Sequence, residues 1–424
     1  MIYQTTKLPG CATLVTAEMP HMTSATIGVW VRIGGRYEAE PLNGACHFIE
    51  HMLFKGTRRR NAAAISEAIE GIGGYLNAFT SEESTCFYSR ASHEKLPHLI
   101  DVLGDMFLNS VFDSAEVEKE RQVIKEEVAM YQDQPHHLVL ELLNELCWPN
   151  QPLGRSLTGT LAGLDRLSRE VLVKFHKHAY ISDSTVISVA GRINHAQLVQ
   201  RLESFAKRIP RGARTPFSSA VPNQGKPRSI VCAKPVEQCQ IALGIRTCSR
   251  HDDRRYALRL LNTILGENMS SRLFQTIREE RGLAYSIYSS LSAFDDVGLL
   301  TISAGLDPQR LEEVLGVVLE QLRRMKEKAP YQSELKRARD YVIGQMDLSL
   351  ENTESQMNWL GENMVCYGHV ISPDEVKRRL ASVTASEIRG AALSFFQADH
   401  LNLAVVGPSK HRNKIQQLLE SKAC

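Results

Sequence analysis

Two histidines and a glutamate lie within five residues of the segment HFIEH, residues 47–51. In an α-helix, positions i, i+3 and i+4 share one face, so the side chains of His47, Glu50 and His51 would lie together. Two imidazoles one turn apart can hold a metal ion, and the carboxylate of Glu50 would lie beside the open coordination position. The spacing therefore indicates a metal site with a base next to it.

The alternative interpretation is a helix that buries these three residues for packing alone. The neighbouring side chains are apolar: Phe48, Ile49, Met52, Leu53 and Phe54. Burial of one glutamate and two histidines without partners costs several kcal/mol, more than the roughly 1–3 kcal/mol gained by burying one large apolar side chain. Because a metal ion would compensate the carboxylate and occupy the imidazole lone pairs, metal binding is the favoured interpretation.

The residues around this segment carry a family resemblance. H-x-x-E-H is the inverted zinc-peptidase motif, and GRYEAEPLNGACHFIEHMLFKGT, residues 35–57, resembles the pitrilysin and mitochondrial processing peptidase family. The resemblance extends through both halves and covers nearly the whole chain. It implies a zinc endopeptidase in which Glu50 takes a proton from zinc-bound water and passes it to the leaving amine, without a covalent intermediate.

The resemblance also implies a third protein ligand, because the family draws one from a downstream glutamate. Glu127 lies 76 residues beyond His51, in the charged helical segment SAEVEKERQVIKEEVAMYQDQP. Glu120, seven residues earlier on the same helical face, resembles a second family glutamate that supports the site without binding the metal. Glu126 faces about 100° away on such a helix and is the less suitable ligand. Two imidazoles and a carboxylate suit one zinc ion per chain in an open catalytic site.

Substrate-binding residues are implied by the same resemblance. In RLFQTIREERGLAYSIYSS, Arg278 and Tyr285 match an arginine and a tyrosine that reach the substrate near the zinc, where they would hold a carbonyl and donate to the oxyanion. In GGYLNAFTSEESTCFY, four residues match the family's substrate-binding edge strand, Asn77, Ala78, Phe79 and Thr80. An extended peptide would pair with such a strand through its backbone. Without the resemblance, these are a surface arginine, a strand tyrosine and an ordinary hairpin.

The elements that must position these residues occur twice along the chain. Gly28 in ATIGVWVRIGGRYEAE and Gly244 in QIALGIRTCSRHDDRR lie 216 residues apart. Gly191 and Gly407 each follow a β-branched strand and precede an amphipathic helix, and they are also 216 residues apart. The shared offset predicts a tandem duplication. It places Thr263, Gly266 and Glu267 at the positions of the metal segment, so the second copy lacks the ligands.

Within each half, segments of period 2 mix with helical patterns. In the first half the predicted strands are 24–33, 75–80, 84–91 and 184–190, and the predicted helices are 41–55, 62–72, 94–110, 114–131, 135–147 and 166–179. This mixture predicts an α+β fold with a mostly antiparallel sheet and helices on one face in each half. We expect a catalytic domain at 1–210, a Pro/Gly/Ser-rich linker at 211–228 and a homologous domain at 229–424, with the two domains facing each other as a clamshell.

Composition excludes several other functional classes. The 50 basic and 48 acidic residues leave a net charge of +2, so no overall field favours nucleic acid or an anionic membrane. The nine cysteines form no C-x-x-C pair, which argues against a disulfide framework or a cysteine zinc site. No signal peptide, transit peptide or long apolar run is evident, so a cytoplasmic location is predicted.

The leading hypothesis is thus a zinc endopeptidase that cleaves extended peptides or unfolded segments between two related domains. As the resemblance implies, the partners would be a peptide substrate and a second chain, in a homodimer or in a heterodimer with a related chain. Two other hypotheses are a noncatalytic assembly subunit and a peptide-binding module with a structural zinc ion. The noncatalytic subunit is disfavoured by the joint presence of six residues, His47, Glu50, His51, Glu127, Arg278 and Tyr285. A closed structural site would need a fourth protein ligand.

Overall fold

The computed structural model describes residues 3–221, 224–408 and 419, which form two mixed β-sheets covered by helices. The strands are β1 (Tyr3–Lys7), β2 (Thr13–Glu18), β3 (Ser24–Val31), β4 (Tyr75–Thr80), β5 (Thr85–Ser92), β6 (Thr185–Gly191), β7 (Arg228–Ala233), β8 (Cys239–Thr247), β9 (Ala284–Ala293), β10 (Gly298–Leu306) and β11 (Leu401–Gly407). The helices are α1 (Ala45–Leu53), α2 (Ala62–Glu70), α3 (Leu96–Asn109), α4 (Ser114–Asp133), α5 (Pro135–Cys147), α6 (Leu161–Arg166), α7 (Arg169–Ala179), α8 (His195–Arg208), α9 (Arg255–Asn262), α10 (Leu311–Glu327), α11 (Gln332–Ser349), α12 (Thr353–Tyr367), α13 (Pro373–Ser382) and α14 (Ala385–Phe395).

The chain divides into two compact units that are not contiguous in sequence. Unit 1 contains Met1–Val128, Arg155–Ser218 and Asp347–Ile371. Unit 2 contains Ala129–Gly154, Ser219–Met346 and Ser372–Cys424. The predicted domain boundaries at 210 and 229 mark the two sequence repeats and stay a prediction.

The sheet of unit 1 has the order β1-β2-β6-β3-β5-β4, in which only β2 and β6 are parallel neighbours. Alternate residues of β3 point to opposite faces. Ile27 and Val29 pack into the core beneath α1 and α3, whereas Trp30 packs into a smaller core on the other face. This arrangement fixes α1 over the sheet, where it contacts β4 at the edge.

The sheet of unit 2 repeats this plan with the order β7-β11-β8-β10-β9. Again one neighbouring pair, β7 and β11, is parallel and the other pairs are antiparallel. Helices α9, α10 and α14 contribute to its larger core. The α+β class and the mostly antiparallel sheets predicted from the sequence are confirmed.

The opposite face of each sheet is covered by a helix from the other half of the chain. Helix α12 packs on β3 and β6 in unit 1, and α5 packs on β8 and β11 in unit 2. A Cβ on Gly28 would lie 2.4 Å from Met357 Sδ of α12, and a Cβ on Gly244 would lie 2.9 Å from Leu143 Cδ1 of α5. The repeated glycines therefore make room for these helices. The prediction of helices on one face was incomplete, because periodicity does not show which distant segment covers the second face.

Most predicted elements agree with the structure, since β3, β4, β5 and β6 lie at or within a few residues of the predicted strands. The predicted helix 166–179 corresponds to α7, which begins three residues later at Arg169, whereas the short helix α6 before it was not predicted. The helix predicted after Gly407 lies outside the described residues apart from Leu419. Across the described part of the chain, no helix combines the length and the apolar character needed to cross a bilayer.

The packing of α12 leads to a testable prediction about Gly361. A Cβ at this buried position would lie 2.0 Å from Nε1 of Trp30, a fully buried ring whose Nε1 donates to Ser188 Oγ at 2.8 Å. We expect Gly361→Ala to lower the free energy of unfolding by about 1–3 kcal/mol, because the indole has no room to move. Chemical denaturation monitored by circular dichroism measures the change.

The matched control is Gly390→Ala in α14, where an added Cβ meets nothing within 4 Å. Alanine favours a helix over glycine by up to about 1 kcal/mol, so this variant should be as stable as the parent or more stable. Equal stability of Gly361→Ala and the parent would contradict the close packing of α12 on Trp30.

Candidate active site

Helix α1 presents the residues of the HFIEH segment on its less buried face. It begins after Gly44, which has a φ of +92° and lies so close to the 158–159 segment that a Cβ would be 2.9 Å from Thr158 O. Phe48 and Ile49 are fully buried, whereas His47, Glu50 and His51 are partly accessible. The amphipathic pattern thus directs both imidazoles away from the apolar core.

The two imidazoles converge on one carboxylate oxygen from α4. Nε2 of His47 and Nε2 of His51 each lie 3.7 Å from Glu127 Oε2, and three ligand atoms from these residues lie within 4.8 Å of one another. Ligand atoms that share a tetrahedral zinc at about 2.0–2.2 Å are about 3.3–3.6 Å apart. The donor types and their separations therefore fit a single zinc ion.

The protonation state of His47 also suits metal binding. Burial, reinforced by the nearby His51, lowers the pKa of His47 to about 4, although Glu127 opposes this shift. The imidazole is therefore neutral near pH 7, and a neutral imidazole is the form that binds a metal. Among the described residues, none forms a hydrogen bond with the buried Nδ1 of His47.

Glu120, on helix α4, orients the second histidine, His51. Its side chain is buried, with Oε2 3.1 Å from His51 Nδ1 and Oε1 2.8 Å from Lys55 Nζ. A proton on Nδ1 that donates to Glu120 leaves the lone pair of Nε2 directed at the metal position. Lys55, whose role was not predicted from the sequence, balances the buried charge. In the sequence, the signal that could have pointed to Lys55 is its position four residues after His51 in the same segment.

Glu50 lies against the β4 edge strand. Thr80 Oγ1 donates a hydrogen bond to Glu50 Oε2, so Thr80 contacts the predicted base directly. Burial raises the pKa of the Glu50 carboxyl, while the hydrogen bond from Thr80 and the proximity of His51 oppose that shift. A raised pKa makes the carboxylate a better proton acceptor, as general-base catalysis requires.

The β4 strand pairs with β5 from Tyr75 to Thr80 and has no second neighbour among the described strands. The side chain of Asn77 is exposed and that of Ala78 packs against the core. The ring of Phe79 packs on Trp30 with centroids 5.4 Å apart. This edge therefore presents mainly backbone hydrogen-bonding groups, and its role in substrate binding stays a prediction.

Arg278 and Tyr285 belong to unit 2 and lie close to each other. Arg278 is in a π-helical turn, Phe274–Glu279, and Tyr285 is on β9. The guanidinium carbon of Arg278 is 5.8 Å from the centroid of the Tyr285 ring, and Tyr285 is 75 % exposed. Their approach to a substrate near His47 stays a prediction.

The second copy of the metal segment has different residues at the ligand positions, and these residues form different contacts. Thr263 and Glu267 lie in a π-helical turn, Thr263–Glu267, and Thr263 Oγ1 donates to Glu267 Oε2 at 2.7 Å. The guanidinium of Arg259 donates to both carboxylate oxygens of Glu267. This ion pair and hydrogen bond satisfy the carboxylate, so the second copy keeps a helical turn and needs no metal.

Comparison with protein families assigns both parts of the chain. Residues 13–161 match the model described as insulinase (peptidase family M16), and residues 166–342 match the model described as peptidase M16 inactive domain. An uncharacterized zinc protease of Streptomyces coelicolor is 37 % identical over 414 residues, which cover 96 % of this chain and 90 % of the relative. An uncharacterized zinc protease of Bacillus subtilis is 36 % identical over 396 residues, covering 93 % and 96 % of the two chains.

Solved structures show the same fold at much lower identity. A protease from Helicobacter pylori superposes with a TM-score of 0.90 and 19 % identity, covering 96 % of this chain and 99 % of that one. A peptidase M16 inactive domain from Pseudomonas fluorescens superposes with a TM-score of 0.90 and 18 % identity, with coverage of 96 % and 99 %.

Proposed function

The chain belongs to peptidase family M16, and from this premise we propose that it is a zinc metalloendopeptidase that hydrolyses extended peptides or unfolded segments. The observation that carries the proposal is the convergence of His47 Nε2 and His51 Nε2 on Glu127 Oε2 at 3.7 Å, with Glu50 on the same helix face. A structural zinc site would instead close all four positions with protein ligands. The described residues offer three.

His47, His51 and Glu127 would hold the ion. When bound, the ion would polarise the scissile carbonyl of the substrate and lower the pKa of a water molecule to about 7. Glu50 would accept the water proton on its carboxylate and deliver it to the leaving amine. Thr80 holds Oε2 of Glu50 through its hydrogen bond, and this keeps the carboxylate oriented. Glu120, 3.1 Å from Nδ1 of His51, would hold the tautomer that leaves Nε2 free for the ion.

The proposed substrate class follows from the β4 edge. A peptide that adds to the free side of β4 must be extended, because its backbone replaces a missing neighbouring strand. Thr80 links that edge to Glu50, so a peptide bond held there would lie beside the proposed base. Folded segments do not offer a free backbone, which favours unfolded substrates.

The proposal is tested by incubating the zinc-loaded chain with a mixture of unstructured peptides, with and without a chelator, and mapping the cut sites by mass spectrometry. We expect internal cleavage that chelator abolishes and added zinc restores. The control substrate is a compactly folded, disulfide-bonded domain, which should stay intact in the same incubation. No cleavage by the chain with bound zinc would overturn the assignment of the chain as a peptidase on its own, in favour of a noncatalytic subunit.

We also propose that Arg278 and Tyr285 bind the substrate. As a separate proposal, the chain would act as a homodimer or in a heterodimer with a related chain. Tyr285→Phe removes only the hydroxyl donor, and loss of one oxyanion donor typically costs about 10²–10³-fold in kcat. We expect the zinc content and the cut sites to be unchanged. Steady-state kinetics on one identified peptide measures the effect. The exposed Tyr331 provides the control variant Tyr331→Phe, and equal kcat values for the two variants would contradict the role of Tyr285.

A further inference from the structure

The loop before α1 contains a buried carboxylate that the proposed mechanism does not use. Glu38 is 2 % exposed. Its Oε1 accepts a hydrogen bond from the Cys46 N–H at 2.6 Å, and its Oε2 accepts one from the Gly44 N–H at 2.8 Å. The side-chain amide of Asn43 also donates to Oε2, at 3.3 Å. One buried side chain thus binds two backbone groups at the start of the helix that carries the histidines.

Helix α1 needs such a partner. The first N–H groups of any helix lack acceptors within the helix, and Gly44 at the N-cap has no side chain to supply one. With 9 residues, α1 is also too short to be stable through its own hydrogen bonds. A carboxylate at this end interacts favourably with the helix dipole as well. Glu38 is therefore the external cap of α1.

We propose that Glu38 is a positioning residue, which fixes the rotation and the axial position of α1 and thereby sets the geometry of the zinc ligands. The inference rests on the zinc site of the proposed function. Cys46, the residue that Glu38 holds, immediately precedes His47, and both histidines move with the helix. Glu127 lies on α4 and does not move with α1, so a shift of α1 changes both distances from imidazole to carboxylate. Metal sites tolerate displacements of only about 0.5 Å.

Glu38 is itself held in place by a second segment of unit 1. Arg155 Nη1 donates to the backbone oxygen of Glu38 at 3.0 Å, and Asn43 Nδ2 donates to Ser156 O at 3.0 Å. The loop that carries Glu38 is thus fixed from outside α1. Burial raises the pKa of Glu38 to about 7, against the hydrogen bonds from Cys46 and Gly44, which lower it. The site therefore accommodates a neutral side chain, and Glu38→Gln is expected to fold.

The test compares metal binding by the parent chain and by Glu38→Gln. A glutamine has one acceptor oxygen, so either Gly44 or Cys46 loses its acceptor and faces an amide N–H₂ group. We expect the dissociation constant for zinc to rise about tenfold, the lower end of the range for outer partners of metal ligands. We also expect the visible absorption bands of the Co²⁺-substituted protein to shift, because those bands report the arrangement of the ligands.

The control is Glu387→Gln, which removes the capping carboxylate of α14 in unit 2, where Glu387 Oε2 accepts from the Thr384 N–H. A change at a helix cap alone should leave the zinc affinity and the Co²⁺ spectrum unchanged, as we expect for Glu387→Gln, whereas Glu38→Gln should change both. A second variant, Glu38→Asp, keeps the charge and is one methylene too short to reach both N–H groups. It should weaken zinc binding in the same direction.

Three results separate the outcomes. A weaker affinity and a shifted spectrum in folded Glu38→Gln or Glu38→Asp support the positioning role. Unchanged affinity and spectrum in the folded variants overturn it and leave the proposed zinc site intact. Absence of zinc binding by the parent chain would overturn the proposed function, and the role of Glu38 with it.

Discussion

Replacing Glu50 with glutamine is expected to lower kcat for peptide hydrolysis by about 10²–10⁴-fold, the range that general acid–base catalysis supplies. Glutamine has nearly the same shape but cannot accept a proton from water. Its carbonyl oxygen still accepts the hydrogen bond that Thr80 donates to Glu50. Because Glu50 is not one of the three converging ligands, the variant should keep its zinc. Single-turnover cleavage of one identified peptide, with zinc content measured on the same sample, checks both parts.

The matched control for this variant is Glu70→Gln, at an exposed position of α2. This substitution makes the same chemical change at a position away from the proposed metal ligands. The variant should cleave at the rate of the parent chain. A Glu50→Gln variant that retains zinc and cleaves as fast as Glu70→Gln would exclude Glu50 as the base.

The second large effect is expected for Glu127→Gln. This change removes the carboxylate oxygen on which both imidazoles converge, at 3.7 Å from each Nε2. The loss of a direct ligand should weaken zinc binding by more than the roughly 10–100-fold that follows loss of an outer partner. Cleavage should fall in proportion to the zinc lost. Competition with a chelating dye measures the affinity, and elemental analysis after dialysis measures the zinc that remains.

Glu126→Gln provides the matched control for this change. Glu126 is exposed and lies one residue away on the same helix, about 100° around its axis. Its replacement should leave the zinc content at the level of the parent chain. If Glu126→Gln lost zinc and Glu127→Gln kept it, the assignment of the third ligand would be wrong.

The sequence was most informative where a residue's role depends on its own element. The spacing of His47, Glu50 and His51 defines one helix face wherever that helix packs, and strong periodicity located β3, β4 and α3 closely. The absence of ligands at Thr263, Gly266 and Glu267 was also evident from the repeat. In the first two cases the information lies within a few residues of the chain, and in the third it lies in the repeat of the sequence itself.

Roles that depend on distant contacts were not predictable in the same way. Glu38 is part of the quoted family motif, yet only the structure shows its carboxylate at the start of α1. Lys55 lies in the same quoted segment, and only the structure pairs it with Glu120. Periodicity reports that one face of an element is buried and does not identify the covering segment. The exchange of α5 and α12 between the two halves was missed for this reason.

The central claim is that a single zinc ion held by His47, His51 and Glu127 makes this chain a peptidase. Titration of the metal-free chain with zinc, with the rate of peptide cleavage followed at each addition, tests it most directly. We expect no cleavage without zinc, a linear rise, and a sharp plateau at one zinc ion per chain. Cleavage by the metal-free chain, or a rate that does not depend on zinc, would contradict the claim.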